Sequence, residues 1–274
     1  MARYFEQLND NFNVVVDDQF NTAKFLYKAD IIAGDVPYTS TIKVDGDTFA
    51  YNGRETIIAE GNTLRDIGFD YDDADVVKAQ ARLMVFVRSG ANQPYRVTSN
   101  LYRNATTGKM TLNVVARSDL ANCPMTVCLY TTAKMLPSKL GLLVYNANGE
   151  LVFDALKGHL QNVGILNGGV SVGNAVAATY DISVPAGLTS DNLFISMRSA
   201  LPFYAAYRIY SGGVSYSSTF YYPVMTFPSS TTLRIQLVQQ RSVAGDNSST
   251  SINNYFENVI YCPYPKNVYT GFGH

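Results

Sequence analysis

Tryptophan is absent from the 274 residues, histidine occurs only as His159 and His274, and cysteine only as Cys123, Cys128 and Cys262. So few imidazoles and thiols argue against a His/Cys metal enzyme and a His-dependent hydrolase. An excess of charge of either sign is also lacking: 21 Lys and Arg stand against 22 Asp and Glu. That near-neutrality removes the basic field of a general nucleic-acid binder, so no nucleic-acid partner is expected. No apolar run approaches the ~20 residues of a membrane-spanning helix. Glu6 and Asp10 stand where a signal peptide would carry its apolar stretch. The expectation is synthesis and folding in a cytoplasm, without membrane insertion. Cys123 and Cys128 form a C-x4-C spacing, neither a redox pair nor half of a zinc site, and read as buried reduced thiols on a strand.

What is present is β-forming. With 47% hydrophobic and 16% charged residues the composition is that of a folded chain. Short runs of Val, Ile, Thr, Tyr and Phe alternate with Gly, Asn, Asp and Pro, which predicts antiparallel strands. Thr39–Val44 and Thr48–Tyr51 flank Asp45-Gly46-Asp47, a hairpin signal. Further strands are expected at Leu83–Arg88, Tyr95–Arg103, Met110–Arg117, Met125–Thr132, Leu140–Tyr145, Glu150–Phe153, Ala178–Val184, Leu193–Met197, Tyr204–Tyr210, Val214–Tyr222, Thr231–Gln239 and Phe256–Tyr261. Helix is confined to Asp75–Ala81 and Arg3–Asn9. Charge divides the chain: residues 1–137 carry 14 basic and 16 acidic side chains, residues 138–274 only 7 and 6. With Pro137 at the break, the reading is all-β: two antiparallel β-sandwich-like domains, 1–137 and 138–274, with little helix. At the N-terminus Phe5, Leu8, Phe12, Val16 and Phe20 recur at close spacing among asparagines. This apolar arm is either an interior strand or a segment that docks on a neighbouring subunit.

Few constellations carry chemistry. Asp70-Tyr71-Asp72-Asp73-Ala74-Asp75 is dense enough in carboxylates for calcium, but Ala74 and the missing terminal Glu break the EF-hand spacing. A solvated loop capping the helix at Asp75 is the simpler reading. His159 has no neighbouring acid or serine motif, and Asn167–Gly173 is glycine-rich without the Lys of a phosphate loop. It reads as a flexible loop. No catalytic, cofactor-binding or metal-binding residue is assigned, and the chain is read as a non-enzyme. Tyr204, Tyr207, Tyr210, Tyr216, Tyr221 and Tyr222, with Phe220, crowd one stretch of the second half. Tyrosine serves equally as a recognition surface and as strand packing.

The most specific segment is Lys139-Leu140-Gly141-Leu142-Leu143-Val144-Tyr145-Asn146-Ala147-Asn148-Gly149-Glu150-Leu151-Val152-Phe153-Asp154. It reads as a tight hairpin: Leu140, Leu142 and Val144 on one face, a turn at Asn146–Gly149, and Leu151 and Phe153 returning to a core. The pattern set by Gly141, Tyr145, Asn148, Gly149, Phe153 and Asp154 resembles the opening of an uncharacterised group of tailed-bacteriophage tail proteins, of minor-tail, tail-tip or tail-fibre type. In that group a β-rich, Tyr- and Ser-rich sequence follows, as in residues 139–274 here. Ala155 departs from it, since a small hydroxyl residue is usual there. The resemblance implies a virion component, made in the host cytoplasm and located in the tail. It would form a homotrimer or homohexamer with other phage tail proteins and contact a host cell-surface glycan or protein. No cofactor is implied. A head decoration or capsid-fibre protein, a carbohydrate-binding module and a depolymerase are the alternatives.

Overall fold

A computed structural model describes backbone and side chains at residues 23–34, 53–89, 95–118, 122–160, 179–196 and 224–236. It describes strand backbone alone at 6–8, 14–17, 40–44, 47–51, 164–171, 197, 203–210, 214–223, 237–244 and 254–263. In chain order the elements are β1 (Glu6–Leu8), β2 (Val14–Asp17), β3 (Lys24–Ala33), β4 (Ser40–Val44), β5 (Asp47–Tyr51), β6 (Arg54–Gly61), α1 (Val76–Gln80), β7 (Leu83–Ser89), β8 (Tyr95–Arg103), β9 (Met110–Ser118) and β10 (Cys123–Thr131). There follow β11 (Leu143–Tyr145), β12 (Leu151–Asp154), β13 (Gly164–Ser171), β14 (Thr179–Ser183), β15 (Leu193–Met197), β16 (Phe203–Tyr210), β17 (Val214–Ser229), β18 (Thr232–Ala244) and β19 (Asn254–Pro263). The all-β expectation is met. Among the described residues helix is limited to α1 and two 3-10 turns, Arg65–Ile67 and Asp73–Asp75. No helix among them is long and apolar enough to cross a membrane.

Two large antiparallel sheets carry the fold. One runs β13-β19-β15-β7-β10-β3; the other runs β14-β18-β17-β8-β9-β6, with β16 joined to β17. Alternation along each strand sends one set of side chains between them. Cys123, Met125, Val127 and Leu129 of β10 and Val87 of β7 meet Met110, Leu112, Val114 and Ala116 of β9 and Leu101 of β8 in one core. Leu193 and Ile195 of β15, Met225 and Phe227 of β17, and Leu233 and Ile235 of β18 belong to the same core. Leu64, Ile67 and Phe69, in the connection between β6 and α1, are all essentially unexposed and also join it.

The expected division at Pro137 is therefore corrected, because strands from both sides of it share both sheets and one core. Charge density reports surface chemistry. It is blind to which strands pair, and the second half contributes its strands through their apolar faces.

Two further expectations are corrected. The Arg3–Asn9 segment contains a strand, β1, paired antiparallel with β2. Of the glycine-rich run expected to be a loop, residues 167–171 belong to β13, which pairs with β19 from Gly164↔Tyr261 to Ser171↔Asn254, while Val172 and Gly173 lie outside the described residues. Of the N-terminal apolar set, Leu8 pairs with Val14 and Val16 with Gln7, while Phe5, Phe12 and Phe20 lie outside the described residues.

Helix α1 completes the seven-stranded sheet. β17 meets β8 at the Met225↔Tyr95 pair, whereas β8 continues to Arg103. Along that stretch the Gln80 carboxamide donates to the Ser99 carbonyl at 2.9 Å and accepts from the Leu101 amide. One side chain thereby replaces a strand's donor and acceptor at an edge that would otherwise be open.

Candidate functional site

The hairpin that carries the sequence pattern is β11–β12, and its turn is built by Asn146. The Asn146 side-chain oxygen accepts from the Asn148 and Glu150 amides at 3.0 and 2.9 Å. The Gly149 amide donates to the Asn146 carbonyl at 2.9 Å. Gly149 has φ +74°, where an L side chain is strained. Gly141, at φ +108°, lets the chain pass Leu156: an added Cβ would lie 3.0 Å from the Leu156 Cγ.

The core face of the hairpin differs from the expectation. Val144 and Val152 are buried, Leu140 and Leu142 are exposed, and Phe153 is half-buried. A register irregularity between Val144 and Tyr145 shifts the pairing to Val144↔Phe153 and Tyr145↔Leu151. Leu140 and Leu142 precede β11, so strand alternation does not reach them. On β12 the irregularity falls at Val152, which is buried in place of the expected Leu151 and Phe153. Tyr145 is 46% exposed. Phe153 stacks on the His159 ring, with centroids 4.4 Å apart and planes 13° from parallel.

Asp154, the last residue of the pattern, is fully buried. Its carboxylate accepts from the Ser138 amide at 2.9 Å through Oδ2 and from the Leu156 amide at 3.0 Å through Oδ1. It thus ties the chain entering the hairpin to the chain leaving it. His159 Nε2 lies 2.9 Å from the Asp154 carbonyl, and since a carbonyl can only accept, the imidazole proton sits on Nε2. Lys157 Nζ donates to the Leu136 carbonyl at 2.6 Å.

The exit segment then crosses the start of β3. The Phe25 amide donates to the Gly158 carbonyl at 2.5 Å, the Leu160 amide donates to the Ala23 carbonyl at 2.9 Å, and Lys24 faces His159 in an isolated bridge. Leu160 helps to cover a second small core on the outer face of the six-stranded sheet, made by Phe86, Cys128, Tyr130 and Phe194.

Lys24, fully buried, completes a cluster with Asp154, Lys157 and His159. Burial lowers the Lys24 amine to about 8, the Lys157 charge adds to the effect and Asp154 opposes it. Burial likewise lowers the Lys157 amine and the His159 imidazole, with the Asp154 carbonyl hydrogen bond opposing the shift at His159. One carboxylate thus sits with two amines and an imidazole in a site where Lys24 presents no surface. Its chemistry is that of a latch holding residues 136–160 against β3. Sequence reading sets His159 aside for want of a nearby acid. Its partner is the backbone carbonyl of Asp154, five residues earlier, a contact that a search for acidic side chains does not register. Lys24 escapes sequence reading because lysine is ordinarily solvated. The one available signal is its apolar setting, Ala23-Lys24-Phe25-Leu26.

The acidic cluster separates rather than converges. Asp70 pairs with Arg65 at 2.5 Å, Asp75 with Lys78 at 2.7 Å, and Asp73 with Arg103. Asp73 also accepts from the Leu64 amide at 2.9 Å. Among the described residues no group of three or more His, Cys, Asp or Glu could hold a metal ion. Cys123 and Cys128 are both buried free thiols on β10, as expected. They belong to different cores on opposite faces of the strand. Burial pushes the Cys128 thiol up to about 11.

The tyrosine-rich stretch falls on β16 and β17. Register pairs Tyr204 with Phe220, Arg208 with Tyr216, and Tyr210 with Val214. All six tyrosines of the stretch thus lie within the strands of one antiparallel ribbon. β18 continues the ribbon on its far side through Tyr222↔Val238 and Phe220↔Arg241.

Comparison with family models finds no match, and searches of curated proteins and of solved structures find none either.

Proposed function

We propose that this chain is a structural component of a bacteriophage tail, at the tail tip or in a fibre, working by contact rather than catalysis. The observation that carries the reading is the Lys139–Asp154 hairpin with its phage-tail pattern. The conspicuous residues of that pattern shape the hairpin itself, since Gly141 and Gly149 take positive φ and Asp154 is the buried tie. A β-sandwich carrying surface ion pairs such as Lys134–Glu150 and Arg234–Asp181 suits a particle component, and a long tyrosine-bearing ribbon suits contact with a subunit or a host surface. Tail organelles are built on threefold and sixfold axes, so the assembly is a homotrimer or homohexamer joined to other tail proteins. Immunogold labelling of phage particles with an antibody to this chain tests the reading. Gold at the tail tip or fibres is the expected result; gold on the head, or intact particles lacking the chain, refutes it.

A further inference from the structure

We propose that a cleft on the outer face of the six-stranded sheet binds a neutral saccharide. The cleft has a volume of about 550 Å³ and opens where β3, β10 and β7 run past the patch covered by Leu160. That size falls in the ~300–1,000 Å³ range of small-ligand sites. Register places Asp30, Thr126 and Arg88 directly opposite one another on three adjacent strands. They form one polar row about 10 Å long at the usual strand spacing.

The row is held in place before any ligand arrives. The Thr126 hydroxyl donates to Asp30 Oδ1 at 2.7 Å, and Arg88 donates to the Asp191 carbonyl at 3.1 Å while its guanidinium lies over the Phe194 ring at 5.5 Å. Fixed groups lose little freedom on binding. Beside the row, Ile32 and Pro124 are opposite one another and both exposed, giving an apolar step for the C–H face of a sugar ring.

The chemistry selects the ligand class. Asp30 and Asp191 disfavour an anion, Arg88 disfavours a cation, and a purely apolar ligand would desolvate the row without repaying its hydrogen bonds. Hydroxyl groups both donate and accept, so they satisfy a carboxylate and a guanidinium together. This inference rests on the reading of the chain as a contact protein and adds the class of surface ligand to it.

The test is amide chemical-shift titration of the full chain with four neutral trisaccharides: maltotriose, cellotriose, mannotriose and N,N′,N″-triacetylchitotriose. Trigalacturonate and triglucosamine serve as the anionic and cationic arms. The expected result is millimolar binding of at least one neutral sugar, with shifts concentrated at residues 30, 88 and 126. Asp30→Asn and Arg88→Gln should each weaken it about tenfold, the scale of one charge-assisted bond, at unchanged melting temperature. Thr126→Val checks the row independently. The proposal is overturned if no neutral sugar shifts these amides, if a charged trisaccharide binds in preference, or if all three variants bind as the parent does. Particle labelling is independent of these variants. A tail-located chain with an empty cleft keeps the tail reading and loses this one, and sugar binding by a chain found elsewhere does the reverse.

Discussion

Gly149 and Lys24 bear the sharpest consequences at the scale of single residues. A β-branched side chain at φ +74° is strained although space around Gly149 is open. Gly149→Val should cost roughly 1 kcal/mol or more and Gly149→Asn much less, read as shifts in denaturant midpoint. Lys24 imposes a pH dependence whose sign is fixed. Its amine titrates at about 8 when folded and at 10.5 in the reference state. Between those values the unfolded chain holds more protons, so stability rises with pH across the interval. The penalty is complete below pH 8 and gone above 10.5. It amounts to about 3 kcal/mol as an upper figure. Buried tyrosines work the other way at high pH, since burial raises Tyr27 and Tyr95. The measurement is therefore the difference in unfolding free energy between the parent and Lys24→Met from pH 7.5 to 10.5. It should shrink as pH rises, and a constant difference would remove the buried-amine account.

Individual elements show where sequence reading succeeds and where it fails. Strands β7, β8, β9 and β15 are legible from composition, as runs of β-branched, aromatic and apolar residues bounded by turn residues. Alternation is not the signal, since β9 for one is buried along almost its whole length. β3 is not, because Lys24, Lys28 and Asp30 interrupt its apolar pattern. Lys24 is buried by tertiary contact, and Asp30 stands on an outer face that local pattern cannot identify. β13 is hidden by its glycines, whose strand state depends on pairing with β19, far away in sequence. In the candidate site, the turn at Asn146–Gly149 is readable because turn chemistry is local. The latch is not, since it joins residues 24, 154, 157 and 159. The Gln80 contact gives an element-scale prediction. Gln80→Ala strands a carbonyl and an amide on β8, costing about 1–3 kcal/mol if water does not replace the side chain. Faster hydrogen exchange at the Leu101 amide, with β10 amides unaffected, is the expected signature. Unchanged Leu101 exchange would show that the carboxamide does not protect this edge.

For the whole molecule, assembly and cooperativity are the two quantities at stake. The tail reading predicts a trimer or hexamer by light scattering at micromolar concentration. Deleting residues 1–20 should weaken assembly while leaving the Val144–Val152 hairpin folded. A compact monomer for both proteins would remove the oligomer. Beneath this lies the central claim that strands from both sides of Pro137 build one sandwich. Ile195 pairs with Val87, Met225 pairs with Tyr95, and all four side chains enter the same core. Neither half can then retain its packing when the other unfolds. Scanning calorimetry tests this most directly. The account predicts a single transition for the full chain, together with no cooperative transition for residues 138–274 expressed alone. Two separate transitions in the full chain, one of them reproduced by the isolated second half, would contradict it.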